Sequence, residues 1–410
     1  MRIIDTPQEQ AFRAEARAWL AANAQPITGT DADWSQARGH TPESEAAHLE
    51  RAREWQRTLY NGGWAGITWP TEYGGRGLTP THEMIFNQEQ SAFDVTSGFF
   101  STGIHLVGPP LLLHGSGDQR RHYLPRLLSG EDLWCQLFSE PDAGSDLANL
   151  RTRAERDGNE FIVNGQKLWT TGAQYADLGI LLVRTNWDVP KHSGITCLIS
   201  DVRDPGVEVR PLVTNTGGTH FNEVFFSNVR VGCDHVIGEV DRGWAVARTV
   251  LANESVMIGS SSYGTRDVDL LARLARRAGR ANDPIVRQQL ARVLVNEQIL
   301  AGFRTRMESA VRAGRRPDID GSVMKVFWAE SRAFKDEIGL ELLGDEALLD
   351  GSDAPENGHW QGAYLDFPMG TIGGGTSEVH RNGIGERVLG LPKEPREDRT
   401  QPFRDLKTTG

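Results

Sequence analysis

The chain contains 410 residues, of which 44 are Lys or Arg and 55 are Asp or Glu, so its formal net charge at pH 7 is −11. A chain of this length can bury the cores of about two or three domains. The acidic balance argues against a partner with a phosphate backbone, and we do not expect the protein to bind nucleic acid.

The N-terminal segment lacks the features of a targeting or membrane segment. MRIIDTPQEQAFRAEARAWL has acidic residues within its first ten positions and no unbroken apolar run, whereas a signal peptide or a membrane span requires such a run. We therefore predict a cytoplasmic protein without a membrane span. Cys135, Cys197 and Cys233 are far apart and form no CxxC motif, so we expect neither a disulfide framework nor a metal site.

Residues 1–133 are predicted to form an N-terminal helical domain. Phe12, Ala16, Trp19 and Leu20 recur at helical spacing. The segment AAHLERAREWQRTLYNGGW repeats this pattern and ends at two glycines, where a helix is expected to stop.

Residues 134–236 are predicted to form a middle β domain, because short runs of β-branched and aromatic residues alternate there with turn signals. RTRAERDGNEFIVNGQKLWTTG indicates a hairpin around Asp157-Gly158 and a second turn at Asn164-Gly165. No long helical pattern separates these runs, which favours an antiparallel sheet or barrel over a parallel sheet.

Helical periodicity returns in residues 237–395, which are predicted to form a C-terminal bundle of long antiparallel helices. Trp244, Ala247, Leu251 and Glu254 fall on one helical stripe. The predicted fold class is therefore α+β and multidomain, with an all-α N-terminal domain, an antiparallel β-barrel-like middle domain and a helical C-terminal domain. The polar tail, residues 396–410, is expected to be loose.

Polar, glycine-bearing segments flank the β region, whereas several catalytic signatures are missing. The sequence has no GxSxG elbow, Walker loop, HExxH motif or strand-following GxGxxG. The segment WCQLFSEPDAGSDLANL (134–150) carries hydroxyls and a glycine beside a strand, and such groups can hold a polar heteroaromatic ring or a phosphate. A capped strand-to-loop turn explains the same residues. KLWTTGAQYAD (167–177) adds an aromatic ring and two hydroxyls, which a half-exposed strand also explains.

Three consecutive glycines, residues 373–375, occur in TIGGGTSEVHR near the end of the helical region. Each buried glycine costs roughly 0.5 to 1 kcal/mol in backbone entropy relative to alanine. We therefore expect a ligand to approach the backbone closely at this run.

Four segments together resemble motifs of the acyl-CoA dehydrogenase family, in the order and with the spacings of that family. SEPDAGSD is similar to its TEPGAGSD loop, NGQKLWTTG to its NGQKxWITN strand, FNEVFFSNVRV to its late β signature, and GGGTSEVHR to its EGTSEIQR helix start. The resemblance covers nearly the whole chain. It implies a helical domain, a β domain and a C-terminal four-helix bundle, with FAD held between the last two and completed by a neighbouring subunit.

The same resemblance implies partners and site residues. It implies an acyl-CoA substrate, an electron-transferring flavoprotein as electron acceptor, and a homotetramer or a heterotetramer with a related chain. Ser145 falls where the family holds the phosphate side of the cofactor or the acyl-CoA chain, and Gly374 and Gly375 are expected to lie against the substrate thioester. The remaining cofactor contacts that it implies are Gln136, Leu137, Phe138, Ser139, Trp169, Thr170, Thr171, Thr376 and Glu378.

The position of the catalytic base differs from that of most relatives. They have a glutamate two residues before the position of Thr376, but this chain has Gly374 there. A subset of the family, including isovaleryl-CoA and long-chain-type enzymes, carries the base on the helix that Glu254 occupies here. A glutamate on an apolar stripe has a raised pKa, towards the range of a working base. We therefore predict Glu254 as the base; the alternative is a structural carboxylate paired with an arginine.

A second hypothesis is a non-catalytic partner subunit of a heterotetrameric acyl-CoA dehydrogenase. The family's RxxFG motif, whose arginine and phenylalanine reach the FAD of a neighbouring subunit, is replaced here by residues with Ala275 and Ala278 at those two positions. The family's QxxGGxG motif is replaced by a segment containing Glu341, Gly344 and Asp345, and an acid near a pyrophosphate is unfavourable. Both departures affect the inter-subunit half of the FAD site.

Overall fold

The computed structural model describes residues 4–27, 42–260, 267–315, 318–395 and 400–406. Helical regions at both ends of the chain flank a curled sheet formed by the middle of the chain. This is the predicted fold class. Within the described ranges, none of the helices combines the length and the apolar character that crossing a membrane requires.

The N-terminal region is helical, as predicted. Its first helix begins at a capping box, in which the Thr6 hydroxyl accepts from the Glu9 N–H at 3.3 Å and the Glu9 carboxylate accepts from the Thr6 N–H at 2.7 Å. Phe12, Ala16 and Leu20 form its buried face. The helices are α1 (Pro7–Asn23), α2 (Pro42–Asn61), α3 (Pro80–Gln90), α4 (Phe100–Thr102), α5 (Gly108–His114) and α6 (Gly117–Ser129).

A π-helical turn, Gly103–Val107, joins α4 to α5. Leu106 and Val107 of this turn belong to the hydrophobic core that also contains Val246 and Val250 of the C-terminal domain. Turns of this type are frequent at functional sites. The π turn thus anchors the N-terminal region on the first helix of the bundle.

One sheet of seven strands, counted over the described chain, forms the middle domain in the order β1-β4-β2-β3-β7-β6, with β5 paired to β4. The predicted hairpin at Asp157-Gly158 is confirmed, because β2 and β3 pair antiparallel up to Asp157 and Glu160. The strands are β1 (Trp134–Leu137), β2 (Arg153–Asp157), β3 (Glu160–Lys167), β4 (Leu178–Arg184), β5 (Ile195–Asp201), β6 (Val207–Leu212) and β7 (Phe221–Gly232).

Two details of the sheet differ from the sequence-based expectation. Strand β1 runs parallel to β4, and β4 meets β2 in parallel at one residue pair, whereas the other pairings are antiparallel. Two parallel strands must be joined by a long crossover connection. Here the connection from β1 to β4 contains the β2–β3 hairpin. Asn164-Gly165 is not a turn but a register shift within β3. A Cβ on Gly165 would lie 2.6 Å from Thr152 Oγ1, so glycine permits this close approach.

The C-terminal region is a helical bundle, with short 3-10 segments between its helices α10 and α11. On α7 the predicted stripe is buried at Ala247 and half-buried at Trp244, Leu251 and Glu254. The helices are α7 (Gly243–Ser260), α8 (Asp267–Arg277), α9 (Pro284–Arg312), α10 (Asp318–Leu343), α11 (His359–Ile372) and α12 (Ser377–Arg387).

Part of the polar tail is docked, so the expectation of a loose tail is wrong for residues 400–406. Phe403 is 1% exposed, and the Arg184 guanidinium lies 3.8 Å from the centre of its ring. The Phe403 N–H donates to the Val189 carbonyl at 2.9 Å, and the Arg404 N–H donates to the Trp187 carbonyl at 3.0 Å. Although most residues of the tail are polar, the burial of one aromatic side chain holds this segment against the β domain. The rest of the tail after residue 395 lies outside the described residues.

We expect Phe403→Ala to lower the free energy of unfolding by about 3 kcal/mol, because the substitution removes a buried ring. Urea denaturation of the full chain measures this change. Gln401→Ala is the matched control, since Gln401 is an exposed residue of the same segment. Equal midpoints for the two variants would show that the tail contributes nothing through Phe403.

Candidate active site

A buried ion pair joins the ends of β1 and β3. Lys167 Nζ lies 2.7 Å from Glu140 Oε1 and 3.1 Å from the Phe138 carbonyl oxygen. The Glu140 carboxylate also accepts from the N–H groups of Arg151 and Thr152 at 2.6 and 2.9 Å. Burial opposes ionisation of Glu140, but the charge and hydrogen bonds around it hold its pKa below the ordinary value. The pair brings two of the predicted cofactor segments, 136–139 and 169–171, side by side.

The segment after β3 presents an aromatic ring in a strained conformation. Trp169 has a φ of +60° and is 57% exposed, and its ring packs edge-on against Phe221. Such a backbone conformation is uncommon for a bulky residue and is often found at ligand sites. The next residue, Thr170, is held by two hydrogen bonds to Asn222, at 2.9 and 3.0 Å. Thr171 follows and is half-buried.

The Thr170 hydroxyl is a buried polar atom without a hydrogen-bond partner. A buried hydroxyl usually has a partner, so this atom is available to a polar ligand group. Together with the exposed Trp169 ring beside it, this arrangement fits a flat heteroaromatic ring that stacks on one residue and hydrogen-bonds the other.

Glu254 lies on α7, the first helix of the C-terminal bundle. It is half-buried, and burial raises the pKa of its carboxyl above the ordinary value for glutamate. A side-chain hydrogen-bonding interaction with Gln136 of β1 and the charge of Lys325 on α10 act in the opposite direction. Glu254 therefore shares its surroundings with a predicted flavin contact and with a lysine, and no arginine of the described ranges acts on its pKa.

The glycine run is held by side chains on both sides. Gly374 and Gly375 have φ values of +64° and +92°, which L side chains rarely adopt. Lys325 Nζ donates to the Gly375 carbonyl at 2.6 Å, and His380 Nε2 lies 2.9 Å from the Gly374 carbonyl oxygen. Thr376 then caps the N-terminus of α12, because its hydroxyl accepts from the Val379 N–H at 3.2 Å.

The other predicted site residues are placed differently. The side chains of Leu137 and Phe138 pack in hydrophobic cores, so contacts with a cofactor are left to their backbone groups. Ser139 is half-buried, Ser145 is exposed in the loop after β1, and Glu378 is exposed beside Arg381.

Lys325 is the residue that the sequence reasoning missed. It is 2% exposed and lies in an apolar stretch of α10, next to the buried Met324. A lysine inside an apolar helical stripe is unusual, since lysine is almost never fully buried without a partner. That pattern in VMKVFWAE was the available signal.

Two of the residues that the family resemblance assigned to the FAD of a neighbouring subunit are engaged within this chain. Glu341 binds Arg280 at 3.0 Å and Gln289 at 2.8 Å. Ala275 is buried in the core of the bundle. Within the described ranges, no cluster of three or more His, Cys, Asp or Glu side chains is arranged to hold a metal ion.

Comparison with known families accounts for all three regions. Residues 6–131, 135–229 and 241–389 match the models described as the N-terminal, middle and C-terminal domains of acyl-CoA dehydrogenase. The chain belongs to the acyl-CoA dehydrogenase family. These enzymes are oxidoreductases that act on CH–CH bonds, so the resemblance drawn from four motifs is confirmed.

Similar proteins include bacterial and mitochondrial acyl-CoA dehydrogenases. Acyl-CoA dehydrogenase IpdE1 of Mycobacterium tuberculosis is 36% identical over 94% of this chain and 98% of its own. Mitochondrial isovaleryl-CoA dehydrogenase of Pongo abelii is 30% identical over 82% of this chain and 81% of its own. Among solved structures, the Tcur3481-Tcur3483 steroid ACAD is 29% identical with a TM-score of 0.78, covering 96% of this chain and 100% of that chain. The ChsE4-ChsE5 complex from Mycobacterium tuberculosis is 30% identical with a TM-score of 0.72 and the same coverage.

We expect Lys167→Met to destabilise the protein by about 3 to 5 kcal/mol, because Glu140 would remain buried without its charge partner. Chemical denaturation of the two proteins measures the difference. The double variant Lys167→Met/Glu140→Gln should recover much of the loss, since it leaves no unpaired charge. If the double variant is no more stable than the single variant, the ion pair does not explain the effect.

Proposed function

We propose that the protein is an FAD-dependent acyl-CoA dehydrogenase that forms a 2,3-enoyl-CoA, with Glu254 as the base that removes the α-proton. The observation that carries this proposal is the position of Glu254. Its half-buried carboxylate interacts with Gln136 of the predicted flavin strand and with the charge of Lys325, which hydrogen-bonds the glycine run.

The residues of the β domain fit the cofactor. The exposed Trp169 ring and the unpartnered Thr170 hydroxyl suit a flat, polar ring system. Bound FAD supplies the acceptor for a hydride from the β-carbon of the acyl group. The residues that we propose to hold it are Gln136, Leu137, Phe138, Ser139, Ser145, Trp169, Thr170, Thr171, Thr376 and Glu378.

Glu254 has the properties that proton abstraction requires. Burial raises the pKa of its carboxyl, which makes the carboxylate a stronger base than an exposed one. The interaction with Gln136 and the charge of Lys325 favour the ionised form, which is the form able to accept the proton. Activity should therefore fall as the pH drops through a pKa above the ordinary value for glutamate.

The glycine run can stabilise the thioester carbonyl as negative charge develops on it. We propose that backbone N–H groups at Gly374 and Gly375 donate to this oxygen, as in an oxyanion hole. In the described part of the chain, neither N–H forms a backbone–backbone hydrogen bond. We propose that Ser145, which is exposed in the loop after β1, contacts the acyl-CoA or the phosphate side of the cofactor.

We expect Glu254→Gln to retain flavin and ligand binding and to lose activity on the order of a hundredfold to ten-thousandfold, because it removes the general base but keeps the shape of the side chain. Stopped-flow reduction of the flavin by a panel of acyl-CoAs measures this loss. Glu297→Gln is the matched control, since burial also raises the pKa of Glu297 on α9. If Glu254→Gln turned over substrate at the wild-type rate, Glu254 would not be the base.

A second, related chain is the partner that we propose for this protein. Ala275 and Ala278 lack the groups that most relatives lend to a neighbouring FAD, and Glu341 is bound within the chain. Apolar side chains are exposed on the last two helices and just after them: Leu365, Met369, Ile372, Val379, Leu389 and Leu391. Such a surface suits an obligate interface. Two similar solved structures are named as two-component assemblies, which supports a heterotetramer over a homotetramer.

The proposals for the substrate class and the electron acceptor rest on the relatives alone. One similar structure is named a steroid ACAD, and we propose a bulky, steroid-derived acyl-CoA as substrate. Electrons would leave to an electron-transferring flavoprotein, as in the family. The alternative function is a non-catalytic subunit that completes the FAD site of the related chain.

Purification with and without the related chain tests the assembly. We expect this chain alone to be colourless or unstable and the co-expressed complex to be yellow, because one half of the dinucleotide site comes from the partner. Glu254→Gln, introduced into the yellow complex, then separates the two functions. Loss of turnover identifies this chain as the catalytic one, and unchanged turnover identifies it as the non-catalytic subunit. A yellow, active homomer would contradict the two-chain assembly.

A further inference from the structure

Lys325 is a buried cation, and no carboxylate in the described part of the chain forms an ion pair with it. Its side chain is 2% exposed, and its ammonium donates to the Gly375 carbonyl at 2.6 Å. Among the described residues, Glu378 and Glu254 act on it through their charge only, without hydrogen bonds. The ammonium is thus enclosed by a backbone carbonyl and two more distant glutamates.

The interactions of the Lys325 ammonium do not explain its burial as a source of folding stability. Removing an ammonium from water is expensive, and one carbonyl with two distant charges repays that cost only in part. An apolar side chain of similar length would fill the same space without this desolvation cost. The position of the ammonium therefore points to a role at the glycine run and Glu254.

We infer that Lys325 is a positioning residue for acyl-CoA oxidation, which holds the glycine run in place and supplies the positive charge that faces Glu254. This inference rests on the proposed function of Glu254. Lys325 lies on α10, which packs against both α7 and α12. One side chain therefore links the helix of the base to the loop that meets the thioester.

The planar peptide bond explains how the loop is held. In a trans peptide the C=O and the following N–H point in opposite directions. By fixing the Gly375 carbonyl, Lys325 directs the Thr376 N–H away from itself. His380 acts in the same way on the Gly374 carbonyl and therefore on the Gly375 N–H, provided that its Nε2 carries the proton. Two successive N–H groups of the loop are thus oriented by side chains.

The groups that can influence the charge of Glu254 come from the elements around α7. Strand β1 contributes the uncharged Gln136. The π turn and α5 contribute His105 and His114, and burial lowers the pKa of both, which keeps them neutral near pH 7. Asp201, at the end of β5, is exposed. Among the described residues, Lys325 is the charge that acts on the pKa of Glu254.

Three variants of the flavin-loaded protein, prepared with its partner chain if loading requires one, separate the charge from the hydrogen bond. Lys325→Met removes both, Lys325→Gln can keep a donor without the charge, and Lys325→Arg keeps both. Without the charge, the pKa of Glu254 rises, so the acid limb of the kcat/KM profile should move to higher pH by about one pH unit. For Lys325→Met we also expect kcat to fall about tenfold to a hundredfold. Lys325→Arg should keep the wild-type limb.

Lys335→Met is the matched control, because Lys335 lies on the same helix and pairs with Asp267 at 3.0 Å. We expect it to lose stability and leave the acid limb in place. A readout independent of activity is hydrogen–deuterium exchange of the segment 369–382. Exchange there should increase in Lys325→Met and stay unchanged in Lys335→Met, because only Lys325 holds the loop.

The results distinguish this inference from the proposed function. If Glu254→Gln is inactive but the acid limb of Lys325→Met and Lys325→Gln coincides with that of the wild type, the role of Lys325 is overturned and the base stands. If Glu254→Gln is fully active, the base itself is wrong. Should Lys325→Met fail to fold, Lys325→Gln alone decides, because an unmoved limb in that variant overturns the inference.

Discussion

The ion pair between Lys167 and Glu140 is the interaction on which the site depends. Both side chains are buried; Lys167 also donates to the Phe138 carbonyl after β1, and Glu140 also accepts from the N–H groups of Arg151 and Thr152 before β2. Since a buried charge is tolerated only with its partner, the pair fixes the end of β3 against the loop that follows β1. The exposed Trp169 and the unpartnered Thr170 hydroxyl come directly after this junction. A polar contact in the core of the β domain thus determines where a flat ligand can lie.

A second set of polar contacts crosses from the β domain into the bundle. Gln136, Glu254, Lys325 and the glycine run come from four separate parts of the chain, and each influences the next through a hydrogen bond or a charge. Burial raises the pKa of the Glu254 carboxyl and makes the carboxylate more basic, whereas the amide and the ammonium favour its ionised form and oppose that rise. The balance between desolvation and one nearby cation is therefore the physical basis of the proposed proton transfer.

Two residues that the family resemblance assigned to the FAD of a neighbouring subunit are instead engaged within this chain. Glu341 is bound by Arg280 and Gln289 of its own chain, and Ala275 is buried in the bundle. Groups already engaged within one chain are not available to a cofactor held by another. The proposed base and ring-binding residues are present in this chain, whereas the residues expected to reach a neighbouring FAD are not. This combination supports the proposal that two related chains share one site.

The sequence alone determined the order of helical and β regions, the hairpin at Gly158, the family and the choice of Glu254 as candidate base. These features depend on local periodicity, turn chemistry and motif spacing, which are visible along one chain. Only the tertiary structure decided the parallel pairing of β1 with β4, the register shift at Gly165, the docking of Phe403 on Arg184 and the contact between Lys325 and Gly375. Each of these joins residues far apart in sequence, or depends on such a neighbour, and its energy comes from burial and charge that only the folded chain creates.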